Sequence, residues 1–365
     1  MLIEPHATNV PRTALQNYER YTIGSAAPEA AAWVSFGDNH WALGHLARTH
    51  FHAVHCLESL KIDSAVPMTL AMVGAIAERR RLSTDFSIAL GILLPWSEYT
   101  DRERFEAVIS NALKSFSFRG RDLQVTVEKF TCLPEGAGLF ARGRVAISPG
   151  ARIVNPKERA IAVLSLGYRN ASILYVDRGE LAWGVTEDFG FSRAIQKVQI
   201  FSSGQQRPEK LLPVICRTQR PSRKLLSTLV RTTLPELRER ELDGLVKAVA
   251  DAREEYVATL THWLRQKLPQ TLDEILISGG TARHIQPELG RFLKIHAPNT
   301  HANWCESLDE RIAKVFGRTL TENSLISRLC DLYAFFYAFS NRPLPRLREL
   351  AVPSDTEFSH DRSIK

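Results

Sequence analysis

The chain has 365 residues, of which 44% are apolar and 24% charged, and its net charge is +7. This composition is that of a globular protein, and the length exceeds what one hydrophobic core usually supports, so we expect two domains. No apolar run reaches the roughly 20 residues that a membrane-spanning helix needs. The opening residues, MLIEPHATNVPR, do not resemble a secretory signal. The five scattered cysteines suit a reducing compartment, so we expect a cytoplasmic protein without a membrane partner.

Basic residues form two local clusters, at 79–81 and 217–224. Such clusters can neutralise phosphates, but solvated helix ends and loops carry them routinely. No recognition helix, zinc-finger spacing or ribonucleoprotein aromatic motif accompanies them. We therefore do not expect direct nucleic-acid binding.

The first half alternates strands and helices. The pattern predicts strands at 31–36, from residue 40, at 86–95 and at 123–130, and helices at 42–60, 66–80 and 101–116. The near-continuous apolar run FSIALGILLP, residues 86–95, is typical of a strand buried on both faces. Asp101 is placed to cap the following helix, whose expected buried face includes Val108.

The second half repeats this alternation. It predicts strands at 160–166, 171–177, 180–185 and 274–278, a long helix at 239–267, and a closing helix at about 324–340. Asp177-Arg178-Gly179 predicts a tight hairpin between the second and third of these strands. The aromatic run LYAFFYAF, at 332–339, is expected to pack in the core. A hinge near 150–157 is expected to separate the halves.

The segment LSLGYRNAS, residues 164–172, places a glycine between two strands. Consecutive amides in such a turn form an anion-binding concavity, to which Arg169 and Asn170 add a cation and an amide donor. Gly167 would let the ligand approach the backbone closely. An ordinary hairpin turn explains the same residues.

The segment ILISGGTARHIQPEL, residues 275–289, is an apolar strand, a Gly-Gly turn and a helix start. This arrangement brings amides and a helix dipole towards a nucleotide, although it is neither a Walker A loop nor GxGxxG. A plain strand-to-helix turn fits equally well. If the turn serves a ligand, valines at Gly279 and Gly280 should abolish binding and leave the fold intact.

Glu135 follows a strand that ends at Pro134 and stands beside Gly136, where a helix opens. A carboxylate there is able to orient or deprotonate a water. Alternatively, Glu135 complements the positive end of the helix.

Histidines crowd into 40–56, and on a helix His52, His55 and Cys56 would share one face, which is compatible with zinc. No Cys or His pair at metal-finger spacing stands elsewhere, so packed or solvated histidines are favoured and no protein metal site is assigned.

The order PEGAG, then the Gly-x-Arg-Asn hairpin, then SGGTA after a long helix resembles the actin/Hsp70/sugar-kinase superfold, and within it the ParM/StbA plasmid-segregation actins. WALGHLA and GILLPWSEYTDRERF resemble the first domain of that branch. The resemblance implies an α/β fold of two domains of related topology, with mixed sheets flanked by helices. The domains would be 1–152 and 153–342, with the closing helix near their interface and a loose tail at 343–365.

The resemblance also implies a site and an activity. ATP, with Mg²⁺, would bind through Ser165, Gly167, Arg169 and Asn170 of the second-phosphate hairpin. The adenosine motif would be Ser278, Gly279, Gly280 and Thr281, and Glu135 would be the hydrolytic carboxylate. Self-association into filaments, with a DNA-bound adaptor protein, would segregate plasmid DNA.

Two departures bear on hydrolysis. The first domain of this branch opens with a hairpin that carries an Asp-x-Gly phosphate loop, and nothing before Trp33 provides one. We therefore expect an N-terminally shortened first domain, either because the start codon is misassigned or because the protein lost that loop. Ser165 also stands where an acidic residue is expected, and Mg²⁺ prefers carboxylates. Both departures favour the alternative of a non-hydrolysing actin-like scaffold or interaction module. A small-molecule kinase of the same superfold would need an aspartate base, and no residue suits that role.

Overall fold

The computed structural model describes residues 1–141, 158–317 and 326–341, apart from positions 23, 25, 58, 203, 205 and 219. The predicted hinge at 150–157, the domain boundary at 152/153 and the tail at 343–365 lie outside these residues. The first two residues of the predicted closing helix also lie outside them.

The described residues up to 141 form one sheet and its helices. The strands are β1 (Ala7–Asn9), β2 (Trp33–Phe36), β3 (Asn39–Leu43), β4 (Asp85–Leu94), β5 (Phe116–Phe118) and β6 (Arg121–Pro134). The helices are α1 (Arg12–Tyr21), α2 (Gly44–Thr49), α3 (Lys61–Arg80), α4 (Trp96–Tyr99), α5 (Arg102–Leu113) and α6 (Ala137–Ala141). The strand order is β1-β3-β2-β5-β6-β4. The sheet is mixed, because β4 and β6 are parallel and the other pairs are antiparallel.

The described residues from 158 onwards form a second mixed sheet. Its strands are β7 (Ala160–Leu166), β8 (Ala171–Asp177), β9 (Glu180–Glu187), β10 (Glu274–Ser278) and β11 (His301–Asn303). The helices are α7 (Ser192–Phe201), α8 (Pro208–Ile215), α9 (Arg223–Leu226), α10 (Pro235–Lys267), α11 (Gln286–His296), α12 (Glu306–Phe316) and α13 (Ile326–Asn341), and a 3-10 turn spans Ala282–Ile285. The order is β11-β10-β7-β8-β9, in which β10 is parallel to both neighbours.

The second sheet is covered by helices on both faces. Along β7, Leu164 belongs to a core with α7, α10 and α11, whereas Val163 belongs to a core with α6, α12 and α13. This alternation follows from the period of two in a strand. Long α10 buries an apolar stripe that includes Leu242, Val249 and Leu260.

Strand β4 forms one edge of the first sheet. Its even-numbered apolar residues face the core under α3 and α5, but Phe86, Ile88, Leu90 and Ile92 are only half-buried. In the described part of the chain β4 pairs with β6 alone. Ser87 and Ala89, on the opposite face, are exposed, so the prediction of a strand buried on both faces is wrong over residues 85–89. An apolar run does not show whether another element covers each face of the strand.

Four further predictions differ from the structure. The helix expected at 42–60 ends at Thr49, and His52 has φ +53 in the following loop. On α5, Val108 is 49% exposed, and the cap residue Asp101 makes no side-chain capping bond. In the aromatic run Phe335 is buried, but Phe336 is 64% exposed. Among the described residues no helix is long and apolar enough to cross a membrane.

Candidate functional site

The ends of β7 and β10 bring two of the predicted segments together. The two strands run in parallel with Ser165 opposite Ser278, and their hydroxyl oxygens are 3.4 Å apart. Carboxyl ends of adjacent parallel strands meet at one edge of a sheet, where ligands of open α/β folds bind. We call this region, with the turns that follow Ser165 and Ser278, the strand-end site.

The Gly-Gly turn after β10 rests on the end of β7. Gly279 has φ +104, and a Cβ built there would lie 2.6 Å from the carbonyl carbon of Leu166. Thr281 donates its hydroxyl to the carbonyl oxygen of Leu166 at 3.0 Å. Glycine is required here for a close approach of two backbones. The expectation that valine at Gly279 would leave the fold intact is therefore wrong.

The second glycine of the turn lies beneath a cation that sequence reasoning missed. A Cβ on Gly280 would be 2.5 Å from Cγ of Arg328, on α13. Arg328 is exposed, and among the described residues it makes no ion pair. No local signal pointed to Arg328, because it is one basic residue in a helix 48 positions further along the chain.

The hairpin turn between β7 and β8 is fixed by the start of α7. The Gly167 amide donates to the Asn170 carbonyl at 2.9 Å, so it is already used within the turn. Three amides that follow Phe189 donate to carbonyls of the turn. The amide of Gly190 donates to the carbonyl of Arg169 at 2.6 Å, that of Phe191 to the carbonyl of Gly167 at 3.1 Å, and that of Ser192 to the carbonyl of Tyr168 at 2.7 Å. The buried side-chain amide nitrogen of Asn170 has no hydrogen-bond partner among the described residues. It is therefore a buried donor whose hydrogen-bonding capacity the described residues leave unused.

The predicted phosphate ligand Arg169 is held by residues of the first half. Its guanidinium donates to the carboxylate of Glu98 and to the carbonyl of Ser59. The other oxygen of Glu98 accepts from the amide of Ile62, at the start of α3, at 2.9 Å. Glu98 is only 5% exposed, so this is a buried ion pair across the two halves.

Glu135 lies beside the strand-end site, between β6 and α6. Its amide donates to the Leu94 carbonyl at 2.7 Å, which continues the pairing of β6 with β4. Its carboxylate accepts from Nζ of Lys61 at 2.8 Å, and the same ammonium donates to the Leu93 carbonyl at 2.7 Å. Gly136 has φ +98 and packs against Val163 of β7.

The positive end of α6 is occupied by a different carboxylate. Asp331, on α13, accepts from the amide of Gly136 at 2.6 Å and from that of Leu139 at 3.2 Å. The interpretation of Glu135 as the partner of this helix start is therefore wrong. Burial raises the pKa of Asp331 to about 6, the two amides oppose that rise, and the charge of Glu135 adds to it.

The carboxylates near the strand-end site are already bound to other groups of the protein, which bears on whether the site suits a metal ion. The three carboxylates that lie near it, Glu98, Glu135 and Asp331, are bound to Arg169, Lys61 and backbone amides respectively. Among the described residues no group of three His, Cys, Asp or Glu side chains is arranged to hold a metal. These side chains do not fit a protein-ligated Mg²⁺.

Comparison with known proteins places the chain by its structure. No family model and no curated sequence matches it. Among similar solved structures, the actin-like protein Alp7A has a TM-score of 0.58 and 14% identity, and the match covers 93% of this chain and 90% of that one. The archaeal actin homologue Ta0583 has a TM-score of 0.54 and 13% identity, with coverage of 93% of this chain and 92% of that one. Bacillus thuringiensis ParM with ATP has a TM-score of 0.50 and 14% identity, with coverage of 93% and 92% respectively.

The chain therefore has the actin-like α/β fold, with two mixed sheets flanked by helices. The solved proteins that share it include ParM, as the motif order predicted.

Proposed function

We propose that this chain binds a nucleoside triphosphate, ATP, at the strand-end site. The observation that carries the proposal is the convergence of the Ser165 and Ser278 strand ends with the 167–170 turn beside Glu135. B. thuringiensis ParM, with which this chain shares its fold, has been solved with ATP, which supports the choice of ligand.

In this proposal the phosphates lie against the 167–170 turn. The side-chain amide of Asn170 supplies a donor without a partner among the described residues, and Arg169 supplies the cation. Arg-phosphate pairs are charge-assisted and bidentate, so the guanidinium contributes both affinity and orientation. The nucleoside lies against Ser278, Gly280 and Thr281, beside the side chain of Arg328, which packs on Gly280.

Hydrolysis is the weaker part of the hypothesis. Glu135 has the carboxylate to orient a water, but that carboxylate is bound to Lys61. Ser165 offers a hydroxyl where a carboxylate would serve Mg²⁺. These two observations favour the second candidate, an actin-like scaffold that binds nucleotide without hydrolysing it.

We also propose that the chain self-associates into filaments that segregate plasmid DNA in the cytoplasm, through a DNA-bound adaptor protein. The support for this part is the fold that the chain shares with ParM and Alp7A, and it is independent of the hydrolytic carboxylate. The basic cluster at 79–81 is partly neutralised, since Arg79 pairs with Glu29.

Calorimetric titration with ATP tests binding, and high-speed pelleting with ATP, a non-hydrolysable analogue or no nucleotide tests assembly. We expect Asn170→Ala to weaken ATP binding about tenfold, because a hydrogen bond to a charged group is worth roughly 1.5–3 kcal/mol. The matched control is Asn111→Ala, at an exposed position of α5. If wild-type protein binds no ATP, or if both variants bind it equally, the site is wrongly assigned.

A further inference from the structure

The Glu98 carboxylate occupies a position that would suit a phosphate. One oxygen accepts from the amide of Ile62 at the start of the 20-residue helix α3, at 2.9 Å. The other oxygen accepts from the guanidinium of Arg169. Backbone amides at a helix start and an arginine fork are the two groups that proteins use most directly to bind phosphate oxygens.

The contact joins the two halves of the fold. Glu98 and Ser59 belong to the part of the chain that carries the first sheet, and Arg169 belongs to the β7–β8 turn of the second. A parallel contact runs beside it, because Lys61 of α3 binds Glu135 at the end of β6. The start of α3 is thus held against both predicted phosphate-handling residues.

We propose that Glu98 is an internal competitor for Arg169, so that a nucleotide reaches this arginine only by displacing the Glu98 carboxylate. The inference rests on the proposed function and adds to it a means of regulation. In the ligand-free protein the Glu98–Arg169 ion pair keeps the turn and the start of α3 together. Binding of the triphosphate replaces one anion by another and releases α3 and α4 from the turn.

The energetics of buried ion pairs favour exchange over simple opening. The side chain of Arg169 is 14% exposed and that of Glu98 is 4% exposed. Separation of such a pair leaves an uncompensated buried charge, which is strongly unfavourable. Replacement of the carboxylate by a phosphate keeps Arg169 paired throughout, and the freed Glu98 gains solvation. The contact therefore opens readily only when an anion is present.

The test compares Glu98→Gln with wild type in titrations with ATP and with inorganic tripolyphosphate. Glutamine keeps the shape of the side chain and an acceptor for the Ile62 amide, but it removes the charge that competes for Arg169. We expect the variant to bind both probes about tenfold more tightly, since apparent affinity scales with the fraction of protein whose site is free. The control is Glu103→Gln, a highly exposed glutamate of α5.

The outcomes separate this inference from the proposed function. Equal affinity of wild type and Glu98→Gln for ATP overturns the competition and leaves ATP binding established. Absence of binding to both proteins overturns the proposed function and the competition together. Binding by the variant alone supports both.

A second measurement needs no variant. Hydrogen exchange of the wild-type protein is followed in the peptide that contains α4, with and without saturating tripolyphosphate. Faster exchange of this peptide with the probe bound is expected if Glu98 is displaced, and unchanged exchange at saturation contradicts displacement. The peptide that contains α9, on the other side of the second sheet, is the internal reference.

Discussion

Replacement of Gly279 by alanine should destabilise the whole protein, and not only a ligand site. The residue has φ +104, a conformation that costs a non-glycine residue about 1–3 kcal/mol. The added Cβ would also lie 2.6 Å and 2.7 Å from the carbonyl carbon and nitrogen of Leu166. Relief of such overlap requires backbone shifts that typically cost about 1–3 kcal/mol. We expect a total loss of about 3 kcal/mol or more in the free energy of unfolding.

The assay is urea denaturation followed by circular dichroism, with the slope of the transition checked for two-state behaviour. Gly244→Ala is the control, because Gly244 lies inside α10 and a Cβ there meets nothing within 4 Å. In a helix interior that change stabilises by about 0.5–1 kcal/mol. A Gly279→Ala protein as stable as wild type would refute the close packing of the Gly-Gly turn on β7.

Three further predictions concern other parts of the molecule. Burial lowers the pKa of His284 from its ordinary 6.5 to about 4. Because the unfolded chain takes up the proton first, the free energy of unfolding should fall by about 3 kcal/mol as the pH drops from about 6.5 to 4. Denaturation curves of His284→Gln should show a smaller fall over the same range. Burial raises the pKa of Cys305 to about 12, and burial also raises the pKa of Cys330 well above its usual range. Both thiols should therefore resist maleimide in the native protein at pH 8 and react in urea, as read by mass spectrometry. Gly74→Ala would place a Cβ 2.6 Å from Cδ2 of Phe118 and closer still to Cγ of the same ring, and should cost about 1–3 kcal/mol in thermal or urea unfolding. An unchanged midpoint would contradict this packing.

The sequence was most informative where a local rule decides the structure. Arg178 and Gly179 adopt φ +49 and +89, as the two-residue hairpin between β8 and β9 requires. Helix α10 ends at Lys267, two residues before Pro269, because a residue that precedes proline avoids the helical conformation. The alternation of strands and helices then gave the α/β class.

The partners of the site residues could not be predicted from the sequence, for a physical reason. Glu98, Lys61, Asp331 and Arg328 are single charged residues whose roles depend on elements far apart in the chain. Periodicity and turn chemistry describe neighbours within a few residues and contain no information on such pairs. Whether Arg169 meets a phosphate or a carboxylate is therefore decided only when the two halves meet.

The aromatic run shows the same limit on a single helix. Phe335 is 2% exposed and packs against Gly91, whereas Phe336 is directed away from that contact. A run of apolar residues on consecutive positions covers every side of a helix, so it cannot indicate which side another element covers.

Within the described ranges β4 has one neighbouring strand, and its other edge has a consequence for the behaviour of the protein in solution. Successive residues of a parallel strand direct their N–H and C=O groups alternately to the two neighbouring strand positions. The Leu93 carbonyl, which binds Lys61, lies on the side of β4 that faces away from β6. A ten-residue apolar strand with such an edge is a template for intermolecular sheet growth in the native state. Charged substitutions at Ser87 or Ala89, whose side chains are exposed, are therefore expected to reduce such pairing.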